Sequence, residues 1–371
     1  MSSTTTSAMS VSEVDITTSR GVFRVLKFGD APESTGPLIV YVHGAGMNGW
    51  GFKRVAECVQ KLSAGAKATP ESILGLTRPA MIGGSSISRG PPLPPTAKQG
   101  AKMPLPPRQS ATATPSTSVT SSSGYRGIAL DLRCHGGSTD EGGAGSLTME
   151  VLVEDCYEVI TTTLSTHYPG VRTIYLVGHS LGGAVVVHLA HRKPVLPIRI
   201  GSVVVLDVVE GTAKQSLAFM KGFLDKRPAA FKDTDAAVKW FMTAGGMKNP
   251  ESAQASVPTL LLHQKEGDTT KPFVWRTNLA ATLPLWPSWF EDLDAKFIAC
   301  PASKMLVLAG TDRLDKELTI AQMQGKFQFE VMGGGVGHYL MEDAPEVLAA
   351  KLTRLVDRNE ALIAKLPPQA R

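Results

Sequence analysis

The feature that most constrains this sequence is a glycine-serine-glycine motif set between an apolar run and a helix-like stretch. Residues 173–177 are β-branched or apolar, Gly178-His179-Ser180-Leu181-Gly182 follows, and residues 183–187 are small and apolar. This is the sequence form of a nucleophile elbow, in which glycines make room for a strained serine between a strand and a helix. Gly-x-Ser-x-Gly also occurs in ordinary turns, so the flanking strand and helix patterns carry the prediction. Ser180 is therefore the candidate nucleophile.

A second glycine-rich loop follows an earlier apolar run. Residues 38–42 are typical of a strand buried on both faces, and they end in His43-Gly44-Ala45-Gly46. In an elbow hydrolase the loop after this strand donates one backbone N–H to the oxyanion, and the residue after the nucleophile donates the other. We assign these donors to Ala45, with Gly46 as the neighbouring alternative, and to Leu181. The competing interpretation is that the glycines only turn the chain.

The composition disfavours several classes of function. The chain has 371 residues, 43% of them hydrophobic, which is enough for one large α/β domain. A net charge of +5 without a basic-aromatic run predicts no nucleic-acid partner. No apolar run approaches about 18 residues and residues 1–10 lack a signal-peptide pattern, so we expect no membrane span and a cytoplasmic or nuclear location. The four widely spaced cysteines predict buried thiols in a reducing compartment.

The alternation of strand and helix patterns predicts an α/β fold of the hydrolase type, a mostly parallel sheet with helices on both faces. Residues 11–63 and 125–371 are predicted to form this single domain, opening with a hairpin over residues 11–28. Residues 64–124 are rich in Pro, Ser, Thr, Gly and Ala and have no apolar period. They predict a disordered insertion, and residues 1–10 predict a disordered N-terminus.

Residues 213–301 predict a cap over the active site. This stretch is helical in pattern and rich in aromatic residues, and it follows the sixth predicted strand. Trp286 and Trp289 fit two interpretations equally well: they line a substrate slot, or they form the core of the cap.

The general base is predicted at His338, because a serine nucleophile needs a base to take its proton. His338 follows the last predicted strand through a glycine-rich run, and the chain order serine, acid, histidine is that of the α/β-hydrolase fold. His43 and His135 lie in loops without a partner in the sequence, and His179 lies in the elbow but is expected to point away from the nucleophile's side. A packing role is favoured for each.

The acid that orients the base has two candidates. Asp207 ends the strand predicted at residues 202–207, and Asp312 lies in the loop after the strand predicted at residues 304–309. Generic α/β-hydrolases take the acid from the position of Asp312. The pattern of residues alone leaves the choice open.

Several longer stretches closely resemble the protein phosphatase methylesterases, and the similarity runs from about Val22 to the final helix apart from the insertion. They are residues 177–184, 206–213, 308–320, 322–328, 337–338 and 342–345. By the family's pattern the nucleophile is Ser180, the acid is Asp207 and the base is His338. The sequence departs from the family at two places. The family's His-Gly-Gly-Gly loop has Ala45 in place of its second glycine, and the acidic linker is shortened to residues 265–271.

The resemblance implies a serine esterase that removes the methyl ester from the C-terminal leucine of the protein phosphatase 2A catalytic subunit, without a metal or an organic cofactor. Two alternatives remain. One is a small-molecule carboxylesterase or thioesterase, which would not need the phosphatase as substrate. The other is a phosphatase-sequestering binding protein, which would not react with a serine-directed fluorophosphonate.

Overall fold

The computed structural model describes residues 10–29, 35–65, 124–264, 272–311 and 314–367. Most of the predicted insertion lies outside the described residues, as do residues 1–9, the linker at 265–271, and Asp312.

An eight-stranded sheet forms the centre of the described chain. Its spatial order is β1-β2-β4-β3-β5-β6-β10-β11. The pairs β1–β2 and β2–β4 are antiparallel, and the remaining pairs, from β4–β3 to β10–β11, are parallel. The strands are β1 Val11–Thr18, β2 Gly21–Phe28, β3 Leu38–Val42, β4 Arg126–Leu130, β5 Thr173–His179, β6 Arg199–Leu206, β10 Ser303–Leu308 and β11 Gln328–Val331. The mostly parallel α/β sheet predicted from the sequence is confirmed, including the opening hairpin.

Helices cover both faces of this sheet. They are α1 Lys53–Ser63, α2 Met149–His167, α3 Leu181–His191, α8 Leu293–Ala299, α9 Lys316–Met323, α10 Leu340–Asp343 and α11 Pro345–Ile363. Alternate residues of β3 enter opposite cores: Leu38, Val40 and Val42 pack with α2 and α3, whereas Ile39 and Tyr41 pack with α1 and α11. A strand with two buried faces needs a continuous apolar run, which is why residues 38–42 show no polar alternation.

The chain between β6 and β10 folds as a mixed layer, which we call the β6–β10 segment (residues 207–302). Its elements are α4 Glu210–Asp225, β7 Ala230–Phe231, α5 Thr234–Trp240, α6 Pro250–Ser256, β8 Leu261–His263, β9 Phe273–Trp275, a 3₁₀ stretch at Leu279–Leu285 and α7 Trp286–Trp289. Strands β7, β9 and β8 pair antiparallel in a small second sheet. A separate apolar cluster joins this sheet to α5 and α6 and includes Met47 from the loop after β3.

The prediction of buried thiols holds for two of the four cysteines. Cys156 and Cys300 are buried, but Cys58 and Cys134 are only half-buried, and all four are free thiols. Within the described ranges, no helix combines the length and apolarity needed to cross a bilayer.

Candidate active site

Ser180 stands at the junction of β5 and α3 in a strained backbone conformation. Strand β5 continues through His179, two residues beyond the predicted end, and α3 begins at Leu181. Ser180 has φ 51° and ψ −120°, a region that non-glycine residues rarely occupy. The neighbouring glycines are required by close approach, because a Cβ at Gly178 would lie 2.1 Å from the Gly182 carbonyl oxygen. A Cβ at Gly182 would lie equally close to the Val42 oxygen of β3.

Asp207 and His338 form a hydrogen-bonded pair beside the elbow. Asp207 follows β6 with φ 53°, and its buried carboxylate accepts from the Ala309 N–H at 2.9 Å through Oδ1. His338 Nδ1 lies 2.8 Å from Asp207 Oδ2. Because a carboxylate only accepts, Nδ1 donates to Asp207, and in the neutral tautomer with this donor Nε2 is the atom that can accept a proton. The structure thus pairs His338 with Asp207; the rival candidate Asp312 lies outside the described residues.

The loop that carries His338 is held from two sides. Asp343 accepts the Gly337 N–H at 2.8 Å and the Lys248 N–H at 2.7 Å. On the other side His179 Nε2 lies 2.8 Å from the His338 carbonyl oxygen, with the two imidazole centres 4.6 Å apart. The carbonyl can only accept, so His179 donates from Nε2. Burial lowers the pKa of His179 to about 3, and the ring is therefore neutral.

The packing role favoured for His179 is therefore incomplete. Its ring lines the cavity beside Ser180 and binds the backbone of the predicted base. The sequence could have indicated this only through the position of His179 inside the elbow, one residue before the nucleophile.

His43 and His135 also differ from the prediction, because both bind the backbone around the Gly44–Gly46 loop. His135 Nε2 accepts the Gly46 N–H at 2.9 Å, and its Nδ1 lies 2.8 Å from the Arg133 oxygen. His43 contacts the Gly44 oxygen at 2.8 Å and accepts from the Leu132 N–H at 3.0 Å. Burial lowers the pKa of both rings, that of His135 to about 4, so each is a neutral imidazole with its proton on Nδ1.

This arrangement bears on the choice of oxyanion donor. The Gly46 N–H is already engaged by His135, whereas within the described ranges the Ala45 N–H donates to no residue. Leu181 is the first residue of α3, so its N–H has no partner inside the helix. Gly44 brings the two loops together, since a Cβ there would lie 2.9 Å from His179 Nδ1 and 3.0 Å from Ser180 Cβ. Ala45 and Leu181 stay the predicted donors.

Ser180, Asp207 and His338 open onto one cavity of about 490 Å³. One side of the cavity, which we call the sheet wall, is made of residues that end or follow strands of the main sheet or belong to the His338 loop. They are residues 44–47, 179–180, 207–209 and 338–339. The opposite side, the segment wall, comes from the β6–β10 segment: Thr212, Ala213, Ser216, Met220, Phe223, Leu224, Arg227, Trp240, Phe241, Gly245, Gly246, Trp275, Leu279, Trp286 and Phe290. Ser180 Oγ has no hydrogen-bond partner among the residues described, an arrangement common in enzymes without bound substrate.

The two tryptophans proposed for the substrate slot have different positions. Trp286 lines the cavity, and its indole N–H donates to Thr282 Oγ1 at 2.7 Å. Trp289 does not line it: the side chain is 1% exposed within the main core, and its N–H donates to the Leu147 oxygen at 2.7 Å. The slot interpretation is thus wrong for Trp289, which anchors the β6–β10 segment to the loop before α2.

Within the described ranges, no group of three or more His, Cys, Asp and Glu side chains is arranged to hold a metal ion. The chemistry that the described site can support is acyl transfer through a serine, an imidazole and an orienting carboxylate.

Comparison with known proteins places the chain among hydrolases. The sequence profile of the alpha/beta hydrolase family matches residues 39–351. Protein phosphatase methylesterase 1 of Gibberella zeae is 43% identical over 244 residues, which cover 65% of this chain and 60% of that protein. Protein phosphatase methylesterase 1 of Emericella nidulans is 34% identical over 341 residues, which cover 91% of this chain and 72% of that protein.

The fold also recurs in solved structures. The crystal structure of E-2-(acetamidomethylene)succinate hydrolase aligns with a TM-score of 0.60 at 17% identity, covering 94% of this chain and all of that one. At that identity the likeness concerns the fold alone.

Proposed function

Since the chain belongs to the protein phosphatase methylesterases within the alpha/beta hydrolase family, we propose that it is a serine carboxylesterase that demethylates a protein phosphatase. The proposed substrate is the methyl ester on the C-terminal leucine of the protein phosphatase 2A catalytic subunit. The observation that carries the proposal is the 2.8 Å contact between His338 Nδ1 and Asp207 Oδ2 in the cavity that Ser180 lines. The Gibberella and Emericella relatives bear the methylesterase name.

The proposed reaction is a two-step acyl transfer. His338 Nε2 takes the proton of Ser180 as Oγ bonds to the ester carbonyl carbon, and the Leu181 and Ala45 N–H groups stabilise the oxyanion. His338 then passes the proton to the departing methoxide, and methanol leaves. Water next gives a proton to His338 and attacks the acyl carbon. The bond to Ser180 breaks, and Oγ recovers that proton from His338. The carboxylic acid product gives its own proton to water and leaves as the carboxylate.

The cavity supports an acyl group as the recognised part of the substrate. The alcohol part of a methyl ester is a single methyl group and offers the enzyme little surface to bind. The binding energy that orients the ester therefore has to come from the acyl chain and from the body of the phosphatase. The apolar segment wall suits an aliphatic side chain such as leucine, and a volume of about 490 Å³ is typical of a small-ligand site.

Methyl release from a methylated phosphatase catalytic subunit tests this proposal. We expect the wild type to release methanol with a kcat/KM far above its value on a short methylated tail peptide, and Ser180→Ala to release none. Equal values on phosphatase and peptide, or a preference for small acyl esters over both, would favour a general carboxylesterase. Phosphatase binding without turnover would favour a sequestering protein.

A further inference from the structure

Arg227 places an unpaired positive charge in the wall of the cavity. It follows α4 and lines the cavity with aromatic and aliphatic neighbours. Its guanidinium carbon lies 3.3 Å from the centre of the Trp275 ring. Across the part of the chain that the structure describes, no carboxylate forms an ion pair with Arg227, and its buried Nε has no hydrogen-bond partner.

Two other arginines that contact aromatic rings, Arg133 and Arg192, are each paired with an acid. Arg133 donates to both oxygens of Asp155, each at 2.7 Å. Arg192 stacks on Tyr157 at 3.5 Å, much as Arg227 stacks on Trp275, but it also donates to both oxygens of Glu154 at 2.6 and 2.7 Å. In both cases a carboxylate accepts from the edge of the guanidinium. For Arg227 that position is open to the cavity.

The ring beneath Arg227 is fixed before any ligand binds. The Trp275 indole N–H donates to the Pro228 oxygen at 2.7 Å, next to Arg227 in sequence. Phe231, Trp240 and Phe241 meet Trp275 edge to face with centroids 5.2 to 5.9 Å apart. Stacking holds the face of the guanidinium and leaves its edge donors directed along the ring plane. The planar set of guanidinium N–H donors, the fork, is therefore preorganised for a planar anion such as a carboxylate.

The charge balance of the cavity favours an external anion. Burial lowers the pKa of Arg227 to about 10, so the group stays cationic at neutral pH. Asp207, the carboxylate among the lining residues, already accepts from Ala309 and pairs with His338. A buried donor without a partner is costly, and a ligand that supplies an acceptor recovers that cost.

We propose that Arg227 is a specificity-determining residue that binds a carboxylate on the acyl side of the ester substrate. The inference rests on the proposed esterase function and deepens it. The anion belongs to the acyl side because a methyl leaving group carries none. The preferred substrates are thus acidic acyl chains, such as a peptide with an Asp or Glu side chain upstream of the esterified terminus.

Paired methyl esters test the proposal. Monomethyl esters of dicarboxylic acids from succinate to suberate are compared with methyl alkanoates of equal chain length, with methanol release as the readout. We expect the wild type to prefer the acid at one chain length by about tenfold or more. Arg227→Gln should lower kcat/KM for that acid by roughly 10- to 100-fold through KM and leave the alkanoate unchanged. Added salt should weaken the preference in the wild type.

Two further variants keep the test decisive. Arg227→Lys retains the charge but not the fork and should keep only part of the preference. Arg192→Gln removes a stacked arginine outside the cavity and should alter neither substrate. No acid preference at any length in the wild type, or an equal loss on both substrates in Arg227→Gln, would overturn the proposal. These results are independent of methyl release from the phosphatase, so the proposed function and this inference fail separately.

Discussion

The two walls of the cavity are built by different forces. The sheet wall is held by directional hydrogen bonds, in which neutral buried histidines clamp the loops that carry Ala45 and His338. The segment wall is held by packing of aromatic rings around Trp275, with Arg227 stacked on it. Hydrogen bonds fix reacting atoms in direction and distance, whereas packed side chains define volume and polarity. Changes in the sheet wall should therefore lower turnover of every ester, and changes in the segment wall should alter which ester is preferred.

The largest effect is expected from Asp207→Asn. An amide whose oxygen still accepts from Ala309 presents its NH2 to His338, so Nδ1 must accept instead of donate and the imidazole takes the wrong tautomer. We therefore expect kcat to fall by about 10⁴ on every ester tested. Asp312 was the other candidate for the acid in the sequence, so Asp312→Asn is the matched control and should retain near-normal turnover. If Asp312→Asn is the inactive enzyme while a folded Asp207→Asn turns over normally, the assignment of the acid is wrong.

A smaller loss is expected from His179→Phe, which keeps a ring beside His338 but removes the donor to its carbonyl oxygen. The loop carrying the base loses one of its supports, so kcat should fall roughly 10- to 100-fold on all esters with little change in KM. His188 binds the Ala184 oxygen of the same helix in a similar way, and His188→Phe is the control. A loss confined to KM or to one ester would remove His179 from the sheet wall's function.

Met220→Ala tests the segment wall with a milder change. Met220 lines the cavity from α4, so its truncation removes one or two methylene-sized contacts, each worth about 0.8 kcal/mol. KM for aliphatic acyl esters should rise about threefold to tenfold while kcat is maintained. Met323→Ala alters an 80% exposed methionine of α9 and should change neither constant. A fall in kcat on all esters would contradict the division between the walls.

The smallest effect is expected at Glu342, a buried carboxyl of α10 that contacts α6 of the β6–β10 segment. Its Oε2 accepts from Ser256 of α6, its Oε1 is buried without a partner, and burial raises its pKa well above the ordinary value. A carboxyl with a raised folded-state pKa holds its proton more tightly in the folded state. The free energy of unfolding therefore falls as pH rises from the ordinary pKa of about 4.5 to the folded one.

Glu342→Gln cannot ionise, so its Tm should exceed that of the wild type by about 2 °C or more at pH 8, with the gap closing near pH 4. Turnover at neutral pH should be unchanged. The control is Glu346→Gln on the neighbouring helix, an exposed carboxylate for which the pH dependence of Tm should follow the wild type. An identical pH dependence of Tm in Glu342→Gln and wild type would exclude a stability role for this carboxyl.

The sheet and the elbow could be predicted because their signals are local. A strand buried on both faces reads as a continuous apolar run, and close approach at Gly178 and Gly182 demands glycine. The roles of His179 and His135 could not be predicted, because each depends on a backbone group 89 or more residues away in the chain. Arg227 was missed for the same reason: an arginine reads as a surface residue until the fold shows that no acid accompanies it.

The most direct test of the account is covalent labelling of the nucleophile. The intact protein is treated with a fluorophosphonate, digested, and the modified peptide identified by mass spectrometry. The account predicts a single adduct on the peptide that contains Ser180, absent in Ser180→Ala and formed more slowly in Asp207→Asn. No labelling of the folded wild type, or equal labelling of Ser180→Ala, would contradict it.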